Sequence, residues 1–156
     1  MAYFPLFVEL KEKPVLVVGG GVVAARRIRT LAEFGCRITV VSPRITDELL
    51  KMTEQGTIFW KEEEYQRNVL EEEGGRPVFV LAAAQDAVNA QVVRDCKNVR
   101  IPVNDASRKE NCDFYFPGLI KDGETVVGVT AGGMDHKLAA ALSRVIRTFI
   151  KETWKA

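Results

Sequence analysis

The chain has 156 residues, enough for one domain with a full hydrophobic core or for one domain carrying a small appendage. Hydrophobic residues make up 47% and charged residues 28%, which excludes a disordered chain, and a net charge of +1 supplies no basic field for nucleic acid or an anionic membrane. No apolar run approaches the ~20 residues of a membrane span, and the apolar start from Met1 to Val8 stops at Glu9 and Lys11, too early for a signal-peptide core.

Pro14 to Val18 (PVLVV) is a continuous apolar run of strand length, followed by a Gly turn and a helical stretch from Val22 to Phe34 that Gly35 terminates. Arg37 to Val41 (RITVV) predicts a second buried strand, Thr46 to Glu54 a short helix capped by Thr46, and Thr57 to Trp60 a third strand. The charged runs Lys61 to Glu64 and Glu71 to Glu73 read as solvated helix faces. Pro77 to Ala82 (PVFVLA) predicts the next strand, Asp86 can cap a helix running to about Lys97, and Ile101 to Val103 makes a short further strand. Short strands alternating with helices imply a parallel sheet, because each crossover must return across the sheet face. The expected fold is therefore α/β, with an open, doubly wound parallel sheet of Rossmann type over residues 1–113.

The pattern changes over residues 114–156. Phe114 to Lys121 and Glu124 to Thr130 flank the turn pair Asp122-Gly123 and predict a hairpin. Leu138 to Trp154 then reads as one long helix, whose apolar positions Leu138, Leu142, Val145, Phe149 and Ile150 exceed what so short a tail can cover. A homodimer is the economical expectation, against a helix folded back on the sheet. Cys36, Cys96 and Cys112 are widely separated and form no C-x-x-C pair, so reduced thiols in a cytoplasmic protein are expected, with no metal site. Cys36 and Cys96 read as small buried hydrophobes, while Cys112 falls close to a candidate site.

The strongest local motif is Gly19-Gly20-Gly21-Val22-Val23-Ala24, a G-x-G-x-x-A set between a strand and a helix. Gly19 permits a tight turn, Gly21 lets the backbone approach a pyrophosphate, and Ala24 allows close contact between helix and strand. The exposed N–H groups at the helix N-terminus would then bind the anion. An acid to hold the adenosine ribose is missing from the end of the second strand, where Ser42-Pro43-Arg44 stands instead. Arg44 can take a ribose 2′-phosphate and favour NADP, or lie across the adenine, so NAD is the expected cofactor with NADP left open. No Y-x-x-x-K pair occurs, which argues against a tyrosine-dependent short-chain dehydrogenase. Gly132-Gly133, opening the last helix, is a second candidate carboxylate cradle.

Tyr3-Phe4-Pro5-Leu6-Phe7, then VLVVGGGVVAARR, TVVSPR, LAAAQDAVN (residues 81–89) and VND…CDFYFPGLI…TAGG (residues 103–133) occur in one order over nearly the whole chain. That ordered set resembles the precorrin-2 dehydrogenase family. The resemblance implies oxidation of precorrin-2 to sirohydrochlorin with NAD⁺, iron insertion in some members, and cytoplasmic homodimers interlocked through the second domain. It places Gly19, Gly21, Val22 and Val23 on the pyrophosphate, Pro43 and Arg44 beside the adenosine, and Ala82, Ala83 and Ala84 along the dinucleotide. Asn104 matches the asparagine that opens the catalytic segment and is expected on the cofactor, and Gly132 and Gly133 match a glycine pair flanking the substrate cleft.

The chain also departs from that pattern. The family's catalytic aspartate falls here on Ser107, while Asp105 lies two positions early. Asp135-His136 replaces the usual Ser-Pro, and the further helical segment that usually follows is expected to be absent. Asp105, Ser107 and His136 are accordingly the candidates for proton transfer, with His136 otherwise a helix-start residue. Arg108, Lys109, Lys137 and Arg144 are candidates to meet the carboxylates of a tetrapyrrole expected between the two domains. A non-catalytic tetrapyrrole- or dinucleotide-binding module is the alternative, favoured by Ser107 and the short C-terminus, and a chelatase that has lost oxidation is a third.

Overall fold

The computed structural model describes residues 4–71, 75–132 and 135–153, the side chains of His136 and Thr153 excepted. Two compact units result. One covers Glu9–Phe114, and the second gathers the N-terminal residues through Val8 with the chain from Tyr115 onward. This grouping differs from a division at residue 113 that keeps the N-terminal segment with the sheet.

The first unit is built on five parallel strands: β1 (Pro14–Val18), β2 (Arg37–Val41), β3 (Ile58–Lys61), β4 (Val80–Ala82) and β5 (Val103–Asp105). Their order is β3-β2-β1-β4-β5, so the winding reverses between β1 and β4. Open α/β sheets bind ligands at the carboxyl ends of the strands flanking such a reversal. β1 is registered against β2 from Pro14↔Arg37 to Val18↔Val41 and against β4 from Leu16↔Val80 to Val18↔Ala82. The chain therefore leaves β1 with one neighbour on each side.

The strand composition follows from burial on both faces, which removes the alternation of a half-exposed sheet. Leu16, Val18, Val41, Val80, Ala82 and Val103 pack with Val92, Val93 and Cys96, and with Val69 and Leu70 of a 3₁₀ turn over Arg67–Leu70. Val92, Val93 and Cys96 belong to α3 (Asp86–Asn98). Val15, Val17 and Val40 alternate to the opposite face. There α1 (Val22–Ala32) lies against β1 and β2 with Ala24, Ala25, Ile28 and Leu31 buried. α2 (Asp47–Glu54) buries Leu49, and its N-terminus is capped by Thr46, whose hydroxyl accepts the Leu49 N–H at 3.4 Å.

Several elements end where local chemistry forces them. α1 stops at Ala32, and Gly35 turns the chain away in the left-handed region with φ +65°. β5 begins two residues later than expected. Ile101 is buried but gives its N–H to the Cys96 carbonyl at the exit of α3, and Pro102 has no N–H to give. Glu62, Glu63 and Glu64 are exposed in a loop after β3 and not on a helix, while Glu72 and Glu73 lie outside the described residues.

In the second unit, β6 (Gly118–Asp122) and β7 (Thr125–Val129) form an antiparallel hairpin, followed by α4 (His136–Thr153). The hairpin loop is Gly123-Glu124, with Gly123 at φ +56°. β6 starts four residues later than the sequence suggests, because Phe114 is held by the first unit. Its ring sits 4.9 Å from that of Phe79 and its carbonyl accepts from Asn104. α4 packs against the hairpin near Gly118, where a β-carbon would fall 2.8 Å from the Ser143 hydroxyl.

Candidate functional site

The turn between β1 and α1 occupies the winding reversal. Gly19 adopts φ +113°, where a side chain is strained, and a β-carbon there would lie 2.3 Å from the Ala83 carbonyl oxygen and 2.8 Å from the Ala84 nitrogen. The strand ladder extends into this turn on both sides. Gly19 N–H donates to Val41 O at 2.9 Å, and Ala83 N–H donates to Val18 O at 2.8 Å. Gly21 is the N-cap of α1, with extended backbone and no side-chain cap, and its carbonyl accepts the first helical bond from Ala25 at 3.0 Å. The N–H groups of the first turn accordingly point out of the helix without intrahelical partners. A β-carbon on Gly21 would meet nothing within 4 Å.

The structure brings Ser42, Pro43 and Arg44 to the same edge. Pro43 and Arg44 are exposed, as are Val22 and Val23 at the start of α1. Ser42 is buried and donates its hydroxyl proton to Arg44 O at 2.7 Å, so it shapes the turn and has no proton left to offer a ribose. Its carbonyl accepts the indole N–H of Trp60 at 2.9 Å. Gly20 has a role that the G-x-G-x-x-A spacing does not assign. A β-carbon there would lie 2.3 Å from Arg44 O and 2.7 Å from an Ile45 methyl, while Gly20 O accepts the Thr46 N–H at 3.0 Å. Gly20 thus seats the glycine loop on the β2–α2 loop, and the unbroken Gly19-Gly20-Gly21 run is its only signal in the sequence.

At the exit of β5, Asp105 is a buried hub. Its Oδ1 accepts from Ser107 Oγ at 2.7 Å, Ser107 N at 2.9 Å and Arg108 N at 3.3 Å, and its Oδ2 accepts from Asn111 Nδ2 at 2.8 Å. Burial raises the carboxyl's proton affinity, but the hydrogen bonds from Asn111, Ser107 and Arg108 outweigh it and hold the pKa below the ordinary value. A carboxylate engaged in this way anchors a loop. Ser107 is exposed beside it.

Asn104, expected on the cofactor, is also buried, and its amide nitrogen donates to Phe114 O at 2.8 Å and Cys112 Sγ at 3.4 Å. The Cys112 thiol accepts the Asp105 N–H and donates to the Asp105 carbonyl, both at 3.2 Å, and burial pushes its pKa up. Cys36 and Cys96 are both buried, and burial raises their pKa as well, that of Cys96 to about 12.

Ala82 is buried, and Ala83 and Ala84 are half-buried along the β4 exit. Arg108 is exposed and pairs at 3.6 Å with Asp86, while Lys109 opens a 3₁₀ turn over Lys109–Asn111. Gly132, at φ +64°, and the exposed Lys137 and Arg144 belong to the second unit. Gly133 and the side chain of His136 lie outside the described residues. Among the described residues no three His, Cys, Asp or Glu side chains group as a metal site. None of the described helices is long and apolar enough to cross a membrane.

A glycine turn between a parallel strand and an uncapped helix, placed at a winding reversal, defines a dinucleotide-binding α/β protein. Residues 6–118 match the family described as "Putative NAD(P)-binding", and the chain belongs to that family. It is 35% identical over 156 residues to a siroheme synthase of Saccharophagus degradans, covering 98% of this chain and 32% of that protein. It is 39% identical over 157 residues to a siroheme synthase of Pseudomonas aeruginosa, covering 99% of this chain and 32% of the relative. The chain therefore spans about a third of the length of these curated relatives. Among solved structures it resembles SirC, a precorrin-2 dehydrogenase, with a TM-score of 0.73 at 26% identity, over 94% of this chain and 70% of that one.

The residues present fit a dinucleotide, since the open space at Gly21 and the outward N–H groups of α1 form a cradle that a larger side chain would fill. Gly21→Ala should leave the melting temperature unchanged and weaken NAD⁺ binding by about tenfold or more, measured by titration calorimetry. Gly19→Ala should lower both stability and binding, because its β-carbon has nowhere to go. Asp105→Asn should cost stability at pH 7 in urea unfolding. Because the folded pKa of Asp105 is depressed, its contribution is present above the ordinary value of 3.8 and lost as pH falls through the folded value. The gap between the two proteins should therefore close at low pH.

Proposed function

We propose that the chain is an NAD⁺-dependent dehydrogenase acting on precorrin-2, in the synthesis of sirohaem. The observation that carries the proposal is the glycine cradle at the winding reversal, in a chain of which 98–99% aligns with siroheme synthases at 35% and 39% identity. The backbone N–H groups of Val22 and Val23 would hold the pyrophosphate, Pro43 and Arg44 would flank the adenosine, and Ala82 to Ala84 would line the nicotinamide end. When bound, the nicotinamide supplies the hydride acceptor.

Chemistry at the substrate falls to the β5 exit. Asp105 keeps its charge and fixes the loop, and Ser107 presents a neutral hydroxyl that can orient the substrate without acting as a carboxylate base. Such a site forgoes the ~10²–10⁴ in rate that a positioned acid–base group supplies. Approximation of substrate and cofactor would provide the rest. Arg108 and Lys109, on the loop that follows β5, would meet substrate carboxylates.

We also propose a cytoplasmic homodimer. Leu138, Leu142, Val145 and Phe149 are exposed on one side of α4 at spacings of three and four residues, a face that a second copy would cover. A dinucleotide-binding module without turnover is the second reading, and the occupied carboxylate of Asp105 beside Ser107 favours it.

Incubation of the protein with precorrin-2 and NAD⁺ without oxygen, with NADP⁺ in parallel, should produce NADH. Dinucleotide binding without turnover would select the binding module, and no binding would end both readings. Val145→Glu with Phe149→Glu should convert a dimer to a monomer in sedimentation velocity, and a wild-type monomer would sink the assembly proposed.

A further inference from the structure

Asn89 lies in the first turns of α3 and is 1% exposed, among the most buried polar side chains of the first unit. Its amide grips one residue of the β4 exit from two sides. The Ala84 N–H donates to Asn89 Oδ1 at 2.9 Å, and Asn89 Nδ2 donates to Ala84 O at 3.2 Å. The same nitrogen also faces the β5 exit, reaching Ser107 Oγ at 3.2 Å and Asp105 Oδ1 at 3.4 Å. Ala83, one residue before the grip, is the backbone against which Gly19 is packed.

A continuous path of contacts therefore runs from the glycine turn through Ala83 and Ala84 to Asn89, and from there to Ser107. One amide thus hydrogen-bonds to two strand exits. Capping Ala84 uses the amide oxygen and one N–H, and the second N–H of the same group is the one that faces the β5 exit.

We propose that Asn89 is the positioning residue that locks the wall of the dinucleotide site to the Ser107 loop, so that cofactor binding and the geometry of that loop are set together. The coupling to catalysis rests on the dehydrogenase reading, whereas the coupling to dinucleotide binding stands without it. Asparagine is the residue type that the position requires. Its amide accepts from the Ala84 N–H and donates toward a carboxylate within one planar group.

The test replaces it by its isostere. Asn89→Asp keeps an acceptor for the Ala84 N–H but sets a second carboxylate against Asp105, which alone among the groups bonded to the amide titrates below neutrality. Two carboxylates at that distance share one proton, and lowering the pH restores a hydrogen bond between them. NAD⁺ affinity, followed by titration calorimetry at pH 5.5 and 8.5, should fall about tenfold or more at the higher pH. It should recover most of the loss at the lower pH, while the unaltered protein stays nearly flat. With precorrin-2 as substrate, kcat should follow the same pH trend. Affinity within twofold of the unaltered protein at both values would overturn the proposal, as would a loss equal at the two.

Should the variant fail to fold, hydrogen exchange on the unaltered chain decides the matter. Saturating NAD⁺ should slow the amides of Ala84, Ser107 and Arg108 together. Slowing at Ala84 alone would refute the link. If NAD⁺ binds with these effects but precorrin-2 is not oxidised, the dehydrogenase reading fails and the positioning role of Asn89 remains.

Discussion

Where β1 and β4 leave the sheet side by side, the backbone of Gly19 passes so close to Ala83 that no β-carbon fits between them. Much of the first unit's architecture depends on this approach. It lets the hydrogen-bond ladder continue past the strand ends on both sides of β1, through Gly19 to Val41 and Ala83 to Val18. It also starts α1 directly above the crevice, with Gly21 as a cap that supplies no side chain. A helix begun with serine or aspartate would satisfy its own first N–H groups. One begun with glycine leaves them for an anion. With a net charge of only +1, the chain has little long-range field to attract a dinucleotide, and the oriented backbone donors must do most of the recognition.

The buried polarity of the first unit gathers at the same end of the sheet. Ser42, Asn89, Asn104 and Asp105 are its buried polar or charged residues among those described, and all four stand at or beside the exits of β2, β4 and β5. Each bonds to backbone or to a neighbouring loop: Ser42 to Arg44, Asn89 to Ala84, Asn104 to Phe114, and Asp105 to the amides after it. Burying an unpaired polar group costs roughly 1–3 kcal/mol, so these groups persist only where their bonds are made. They hold irregular loops in one conformation at the carboxyl edge, while the rest of the sheet is held by apolar packing. The edge that must be shaped is polar, and the body that need only be packed is not.

The same division decides how much of the fold is legible in the sequence. β1 and β2 stand at the residues that their apolar runs mark, and the glycine turn falls where its spacing places it, because continuous burial and a strained φ leave strong local signals. The β5 exit is misread for the converse reason. Ile101 looks like strand but gives its N–H back to Cys96 after the end of α3, while Asn104 and Asp105 look like loop and are strand, since their side chains are satisfied by partners outside the strand itself. Gly20 is silent in the motif because its constraint comes from Arg44 and Ile45 of the adjoining β2–α2 loop. Contacts of that kind carry no periodicity.

The position of Asp105 has a chemical consequence of its own. Each hydrogen bond that fixes the carboxylate also stabilises its charge, so the features that make it a good anchor make it a weak base. Anchor and base are therefore opposed demands on a single group. Here the acid sits inside the strand ladder, paired in register with Ala82, and the neutral Ser107 occupies the exposed position two residues on. In such an arrangement, rate enhancement would come from how firmly the loop is held against the cofactor and less from proton transfer at the loop itself. Under the proposed dehydrogenase function, rigidity at the β5 exit would be the property on which turnover depends.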